Sequence, residues 1–222
     1  MTVDGPAGSG KSTLGRRLAA ALGLPYIDTG LFYRAVTVAA LRAGLGAGDV
    51  AAIGAVAGTT RIEVNTIPED ESWEVRVDGV DPGAAIRDPR HAALLTAVSQ
   101  VPAVRHHLLA LQRAPARGGA VAVGRDCGTV VFPDAAVKLY LQATEELRAA
   151  RRAAQIASRG SAVDRETLTS EIAGRDLGDA PALAAAPDAV IIDTGRHDVD
   201  EMVSLALALC AAAGIAPPGP PR

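Results

Sequence analysis

Very little in this chain of 222 residues could staple it, cage a metal or anchor it in a bilayer. Cysteine occurs only as Cys127 and Cys210, too few and too unlike a disulfide or metal-binding framework, so a reducing, cytoplasmic setting is expected. His91, His106, His107 and His197 show no metal-ligand spacing, and the adjacent pair His106-His107 cannot point to one side of a helix. No run of 18 apolar residues occurs, because Arg, Asp or Gly breaks every Ala-rich stretch; no membrane span is expected. The chain reaches Asp4 and a glycine loop almost at once, which is unlike a signal peptide. A basic surplus is also missing: 22 Lys plus Arg stand against 25 Asp plus Glu, a net charge of -3, which argues against a dedicated nucleic-acid binder. Lysine is scarcer still, since only Lys11 and Lys138 accompany 20 arginines. What is abundant is apolar surface, 49% of residues, enough for one larger domain or a core with inserted subdomains.

The order of elements follows from periodicity. Met1-Thr2-Val3 is a short extended piece, Asp4 to Gly10 a glycine-rich turn, and Lys11 to Leu22 a helix closed by Gly23 and Pro25. Tyr26-Ile27-Asp28 is extended and Leu31 to Ala43 helical. Residues 61–80 change to alternation, with Arg61 to Val64 and Trp73 to Val77 reading as antiparallel strands joined by an acidic turn at 68–71. Pro89 to Leu111 is helical in two segments broken before Pro102. Val121 to Val123, Val137 to Leu141 and Ala189 to Asp193 are apolar runs of the kind buried in parallel sheets. Helices are expected over 144–158, 165–175 and 199–213, and the proline-rich end as a flexible tail. Strands alternating with helices predict an α/β fold, a doubly wound parallel sheet with helices on both faces.

The sharpest local signal is Gly5-Pro6-Ala7-Gly8-Ser9-Gly10-Lys11-Ser12-Thr13, glycine, four residues and then Gly-Lys-Ser. Glycines let successive N–H groups turn inward as an anion nest, and the following helix adds its positive end. Lys11 can then reach the β and γ phosphates of ATP, and the Ser12 hydroxyl can ligate Mg²⁺. The loop predicts a nucleoside triphosphate site without saying where the phosphate goes.

The acceptor side is narrowed by Asp28-Thr29-Gly30-Leu31-Phe32-Tyr33-Arg34, by Val98 to Arg105 (VSQVPAVR), and by the run GRDCGTVVFPDA from Gly124 to Ala135. Together these segments resemble the bacterial cytidylate kinases, P-loop nucleoside monophosphate kinases that move the γ-phosphate of ATP to CMP or dCMP. The resemblance spans about residues 3–210. It implies a monophosphate-binding insert over about 31–85 that includes the small antiparallel sheet, a helical lid over about 146–185, a core over 1–30, 86–145 and 186–213, and a tail from 214. It assigns Thr29, Tyr33 and Arg34 to the acceptor nucleotide, with Ser99, Arg105 and Asp126 reading its base, phosphate or sugar and Arg87 as a further contact. Lys11, Arg125, Asp126, Arg152 and Arg175 become the catalytic candidates, in a monomer whose partners are nucleotides. Each position also has a plainer reading: Tyr33 as a core aromatic, Arg105 as a solvated helix charge, Cys127 as a small buried hydrophobe.

Arg148, Arg151, Arg152 and Arg159 recur at helical spacing, and the resemblance makes them lid arginines that close over ATP; a solvated helix face is the alternative. Two departures stand out. After Arg175-Asp176 the chain is about four residues shorter than the family pattern and has no Arg before Arg196. The piece before the glycine loop is three residues, where a missing upstream start would restore a full strand. The short lid keeps two alternatives open at this point: a paralogue acting on a modified cytidylate or another small acceptor, or a nucleotide-binding regulatory protein that has lost turnover.

Overall fold

The computed structural model describes residues 1–67, 72–157 and 183–216, with the side chains of residues 152 and 155–157 also outside the description. The predicted helix at 165–175, Arg159, Arg175 with the shortened stretch after it, the acidic turn at 68–71 and residues 217–222 of the tail therefore lie outside the described residues. The chain divides into two compact units, Met1–Leu24 with Val121–Arg222, and Pro25–Ala120. Residues 86–120, placed with the core on sequence, thus group with 25–85.

The first unit is built on β1 (Thr2–Asp4), β5 (Val121–Gly124), β6 (Lys138–Gln142) and β7 (Val190–Asp193). These four strands run parallel in the order β5-β1-β6-β7. The three residues of β1 are all buried and pair on both sides, Val3 opposite Val123 and Leu139. Short as it is, β1 is central because both neighbours satisfy its backbone groups. Helix α1 (Lys11–Leu22) lays Leu14, Leu18 and Leu22 against β5 and against α7 (Val199–Ala212). Gly23 ends α1, returning its N–H to the carbonyls of Ala19 and Ala20. Asp198 and Glu201 start α7 with a reciprocal capping box. Helix α6 (Glu145–Ala157) follows β6.

Lys138, the second of the two lysines, is structural. Its stem is buried in β6 and its ammonium reaches both carboxylate oxygens of Asp188 at 2.9 Å. The hydrogen bond from Lys138 holds the Asp188 carboxyl below its ordinary value. Its contribution to stability is present above the ordinary carboxylate range and fades as acidification carries the pH through the depressed value. Removing one partner leaves the buried ammonium uncompensated, whereas an apolar stem of similar volume does not. Asp188→Ala is therefore expected to lower Tm at neutral pH more than Lys138→Met does, and the gap between Asp188→Ala and wild type should close in acid; thermal melts across pH check both.

The second unit contains β2 (Tyr26–Asp28), α2 (Thr29–Arg42), α3 (Val50–Thr59), the hairpin β3 (Ile62–Ile67) and β4 (Ser72–Val77), α4 (Ala92–Gln100) and α5 (Pro102–Arg113). The hairpin is antiparallel with Ile62 opposite Val77 and Thr66 opposite Trp73, as the alternation predicts. It packs on α2, and Arg42 Nη1 at the end of α2 donates to the Val77 carbonyl at 2.9 Å. Helix α2 begins at Asp28, whose side chain accepts from the Gly30 N–H, and α5 begins with Pro102 at its first position.

Helix α3 has no counterpart in the sequence reading. Its run VAAIGAVAGT carries two glycines and no charge, so apolar residues fall on every side and no 3.6-residue stripe stands out. Packing explains Gly54: a Cβ there would meet Ala103 Cβ at 3.2 Å, so the glycine lets α3 approach the start of α5.

Among the described residues no helix is long and apolar enough to cross a membrane.

Candidate active site

In the first unit, β1 runs into the loop Gly5 to Gly10 and the loop into α1. Gly5 sits at φ 143° with its missing Cβ aimed 2.3 Å from the Leu141 carbonyl oxygen, so the loop leaves the strand in a conformation and a space that exclude a side chain. Gly8, at φ 77°, lies against the Cβ and carbonyl of Arg148, each 3.1 Å from where a Cβ would stand. The two carbonyls between them face cations. Lys11 Nζ donates to Pro6 O at 2.6 Å and Arg148 Nη1 to Ala7 O at 3.2 Å. No side chain caps α1 and its first turn holds no acidic residue, so the positive end of the helix meets no competing carboxylate there. The Ser9 hydroxyl is buried within the loop with no hydrogen-bond partner among the described residues. This arrangement presents N–H groups and an ammonium to an anion. Lys11 is half-buried and Ser12 follows it on the first turn.

Arg125 and Asp126 follow directly on β5, the first half-buried and the second 5% exposed. Beyond them Cys127–Val131 forms a single π turn, in which the Asp126 carbonyl accepts from Val130 N at 2.8 Å and Val131 N at 3.2 Å. Asp4, the last residue of β1, closes the front of that turn. Its two carboxylate oxygens accept the N–H groups of Cys127 at 2.9 Å and Gly128 at 2.7 Å. Burial pushes the Asp4 carboxyl up and the Asp126 charge adds to that, while the N–H donors of Gly128 and Cys127 pull it back. On sequence Asp4 opens the glycine-rich turn, whereas it is the last residue of β1; the available signal was an acidic residue next to a short apolar strand, immediately before a glycine loop. Cys127 is fully buried, as its reading as a small hydrophobe expects.

The predicted lid arginines divide. Arg148 is buried and holds the phosphate loop through Ala7, and Arg151 donates from Nη1 to Thr194 Oγ1 and from Nη2 to Thr194 O, both at 2.8 Å. These two fasten the stem of α6 rather than standing on a solvated face. Arg152 is on α6 with its side chain outside the description, and Arg175 lies among the residues not described.

In the second unit the acceptor candidates gather around the first turns of α2. Thr29 is buried, and its carbonyl accepts from Gln112 Nε2 at 3.5 Å. Tyr33 is half-buried with the Arg105 guanidinium over its ring at 5.9 Å. Arg105 Nη1 also reaches the Ser99 carbonyl at 3.3 Å, and Ser99 Oγ donates to Thr96 O at 2.8 Å. Arg34 Nη1 donates to the Ile86 carbonyl at 3.0 Å, and the next residue, Arg87, lies 3.9 Å from Asp28 and 5.3 Å from the Trp73 ring centre. Arg90 is committed differently: it forks onto Asp88, holding that carboxyl down to about 2. Three guanidinium groups, two of them over aromatic rings, suit a planar, phosphorylated ligand. Composition concealed Trp73, which was read only as part of an alternating strand.

The strand, the glycine loop and the uncapped helix bearing Lys11 define a P-loop nucleotide-binding fold. A sequence model of the family described as cytidylate kinase matches residues 1–212. The chain is 42% identical over 217 residues to a protein named cytidylate kinase from Pelotomaculum thermopropionicum, covering 96% of each. It is 45% identical over 200 residues to one of the same name from Mycobacterium avium, 87% of each, and 42% identical over 215 residues to one from Symbiobacterium thermophilum, 95% of each. The chain belongs to the cytidylate kinase family, and is an enzyme of the nucleoside monophosphate kinase class.

Proposed function

We propose that the chain transfers the γ-phosphoryl group of ATP to CMP or dCMP, giving ADP and CDP or dCDP. The observation that carries this reading is the family match over residues 1–212, which spans both compact units rather than the phosphate loop alone. On the donor side Gly5, Pro6, Ala7, Gly8, Ser9, Gly10, Lys11, Ser12 and Thr13 receive the phosphates of ATP, with N–H groups turned inward and Lys11 moving from the Pro6 carbonyl to the β and γ oxygens. On the acceptor side Thr29, Tyr33, Arg34, Arg87, Ser99 and Arg105 bind the monophosphate nucleotide, and Asp126 accepts from its sugar or base. Lys11, Arg125, Arg152 and Arg175 neutralise charge on the moving group.

An ionised oxygen of the acceptor phosphate attacks the γ-phosphorus. That bond forms as the bond from phosphorus to the β–γ bridging oxygen breaks, and ADP leaves with the electron pair. No proton has to be removed from the nucleophile, so no general base is required. Ser12, next to Lys11 on the first turn of α1, offers a hydroxyl oxygen, the hard donor type that fits Mg²⁺, whose remaining ligands would be phosphate oxygens and water. When bound, the ion would neutralise phosphate charge. The working unit is read as a monomer in the cytoplasm with nucleotides, not nucleic acid, as partners, in keeping with the net charge of -3.

The test is release of ADP from ATP and Mg²⁺ with CMP, dCMP, UMP and AMP offered separately, using Lys11→Ala as the blank. Turnover fastest with CMP or dCMP is expected. No turnover above the blank with any of the four would overturn the reading.

A further inference from the structure

The hairpin β3–β4 touches the acceptor candidates through one cross-strand pair. Thr66 and Trp73 stand directly opposite each other in the register. Thr66 Oγ1 donates to the carbonyl of Tyr26, two residues before Asp28 in β2, and the Trp73 ring lies under the Arg87 guanidinium at 5.3 Å. One rung of the hairpin thus grips both the start of β2 and the basic residue that pairs with its last residue, Asp28. Asp28 pairs with Arg87 at 3.9 Å, longer than a hydrogen bond. A guanidinium drawn to an aromatic face has fewer orientations open to it and keeps its N–H edges for two-point contact with a phosphate. Arg87 and Trp73 are both half-buried, so solvent screens the contact only in part.

We propose that Trp73 is a positioning residue for the acceptor nucleotide: its ring restrains the Arg87 guanidinium for the acceptor's phosphate, so the hairpin sets affinity for that substrate. This rests on the reading of Arg87 as an acceptor contact. Trp73 is the single tryptophan of the chain, so its emission reports this place and no other.

Steady-state kinetics on wild type, Trp73→Phe and Trp73→Leu test the idea, each at temperatures well below its own Tm. Trp73→Leu, which keeps apolar bulk without a π face, is expected to raise KM for CMP about five- to thirty-fold, leaving KM for ATP and kcat at saturation within about two-fold. Trp73→Phe keeps a ring and should stay within about three-fold of wild type. In an Arg87→Lys background the leucine variant should add no further rise in KM, because the planar cation is gone. Leucine matching phenylalanine, an equal rise in KM for ATP, or an undiminished effect in the lysine background would each overturn the proposal. A direct readout is titration of the wild type with CMP alone, without ATP, where a saturable change in Trp73 emission is expected. Wild type that phosphorylates none of the four acceptors fails the proposed function instead, and the emission titration still decides this inference: a saturable change with CMP supports it, none overturns it.

Discussion

Lys11→Ala is expected to lower kcat for phosphoryl transfer by at least about 10²- to 10³-fold, the usual cost of deleting one preorganised donor to developing charge. The residue combines three circumstances that no other cation of the first unit shares among the described residues. It opens α1 at the positive end of the helix, it is half-buried, and its ammonium is already within the loop, 2.6 Å from Pro6 O. Moving that ammonium onto phosphate exchanges a carbonyl for a charged acceptor, which strengthens the bond. The fold depends on it less than catalysis does, because the bond from its ammonium to the Pro6 carbonyl contributes about 1.5–3 kcal/mol net. Circular dichroism should therefore stay near wild type, and Tm should fall only by what that loss explains, while ADP release collapses. A Lys11→Ala enzyme that kept wild-type turnover would remove the phosphate loop from the mechanism. Lys11→Arg is not a rescue, since a planar fork on a longer stem does not occupy the place of a point charge inside the nest.

Gly5→Ala is expected to be strongly damaging. The added carbon would stand 2.3 Å from the Leu141 carbonyl oxygen, a backbone atom of β6, and φ 143° is strained for any side chain. Relief would require β6 to move away from β1, its paired neighbour in the sheet. We expect a loss of about 3–5 kcal/mol, or about 6–20 °C in Tm for a chain of this size. Gly58→Ala in α3 is the matched control, because no atom lies within 4 Å of its Cβ position and its φ is not positive. There the same substitution should stabilise by about 0.5–1 kcal/mol. Paired thermal melts compare the two; similar Tm values for both variants would discount the close approach at Gly5.

The elements that announced themselves in the sequence are those whose signal is local. Gly5 to Thr13 spells out its loop in consecutive residues, and the alternation over 61–80 spells out a hairpin. Helix α3 was silent because an uncharged run of Ala, Gly, Val and Ile has no polar face to give it a period. At the site, the residues with a motif around them were the ones singled out: Lys11, Arg34, Arg105 and Asp126. Those whose importance lies in what they touch were not. Asp4 needs Cys127 and Gly128 beside it, Trp73 needs Arg87, and Arg148 and Arg151 looked like one face of an arginine-rich helix until Ala7 and Thr194 were seen to take their donors. Helical spacing reports which side chains align, and says nothing about whether a neighbouring segment already occupies them.

The Asp4 carboxylate and the close approach at Gly5 also bear on how the molecule assembles. The phosphate motif is nine residues long, yet the groups that shape it, Cys127, Gly128, Leu141 and Arg148, arrive more than a hundred residues later in the chain. Contacts of such sequence separation carry a large loop-closure cost and form late in folding. An emerging or truncated polypeptide therefore carries the full motif before it owns a phosphate-binding geometry. The capacity to hold a triphosphate is a property of the finished sheet, acquired when β5 and β6 close on either side of β1.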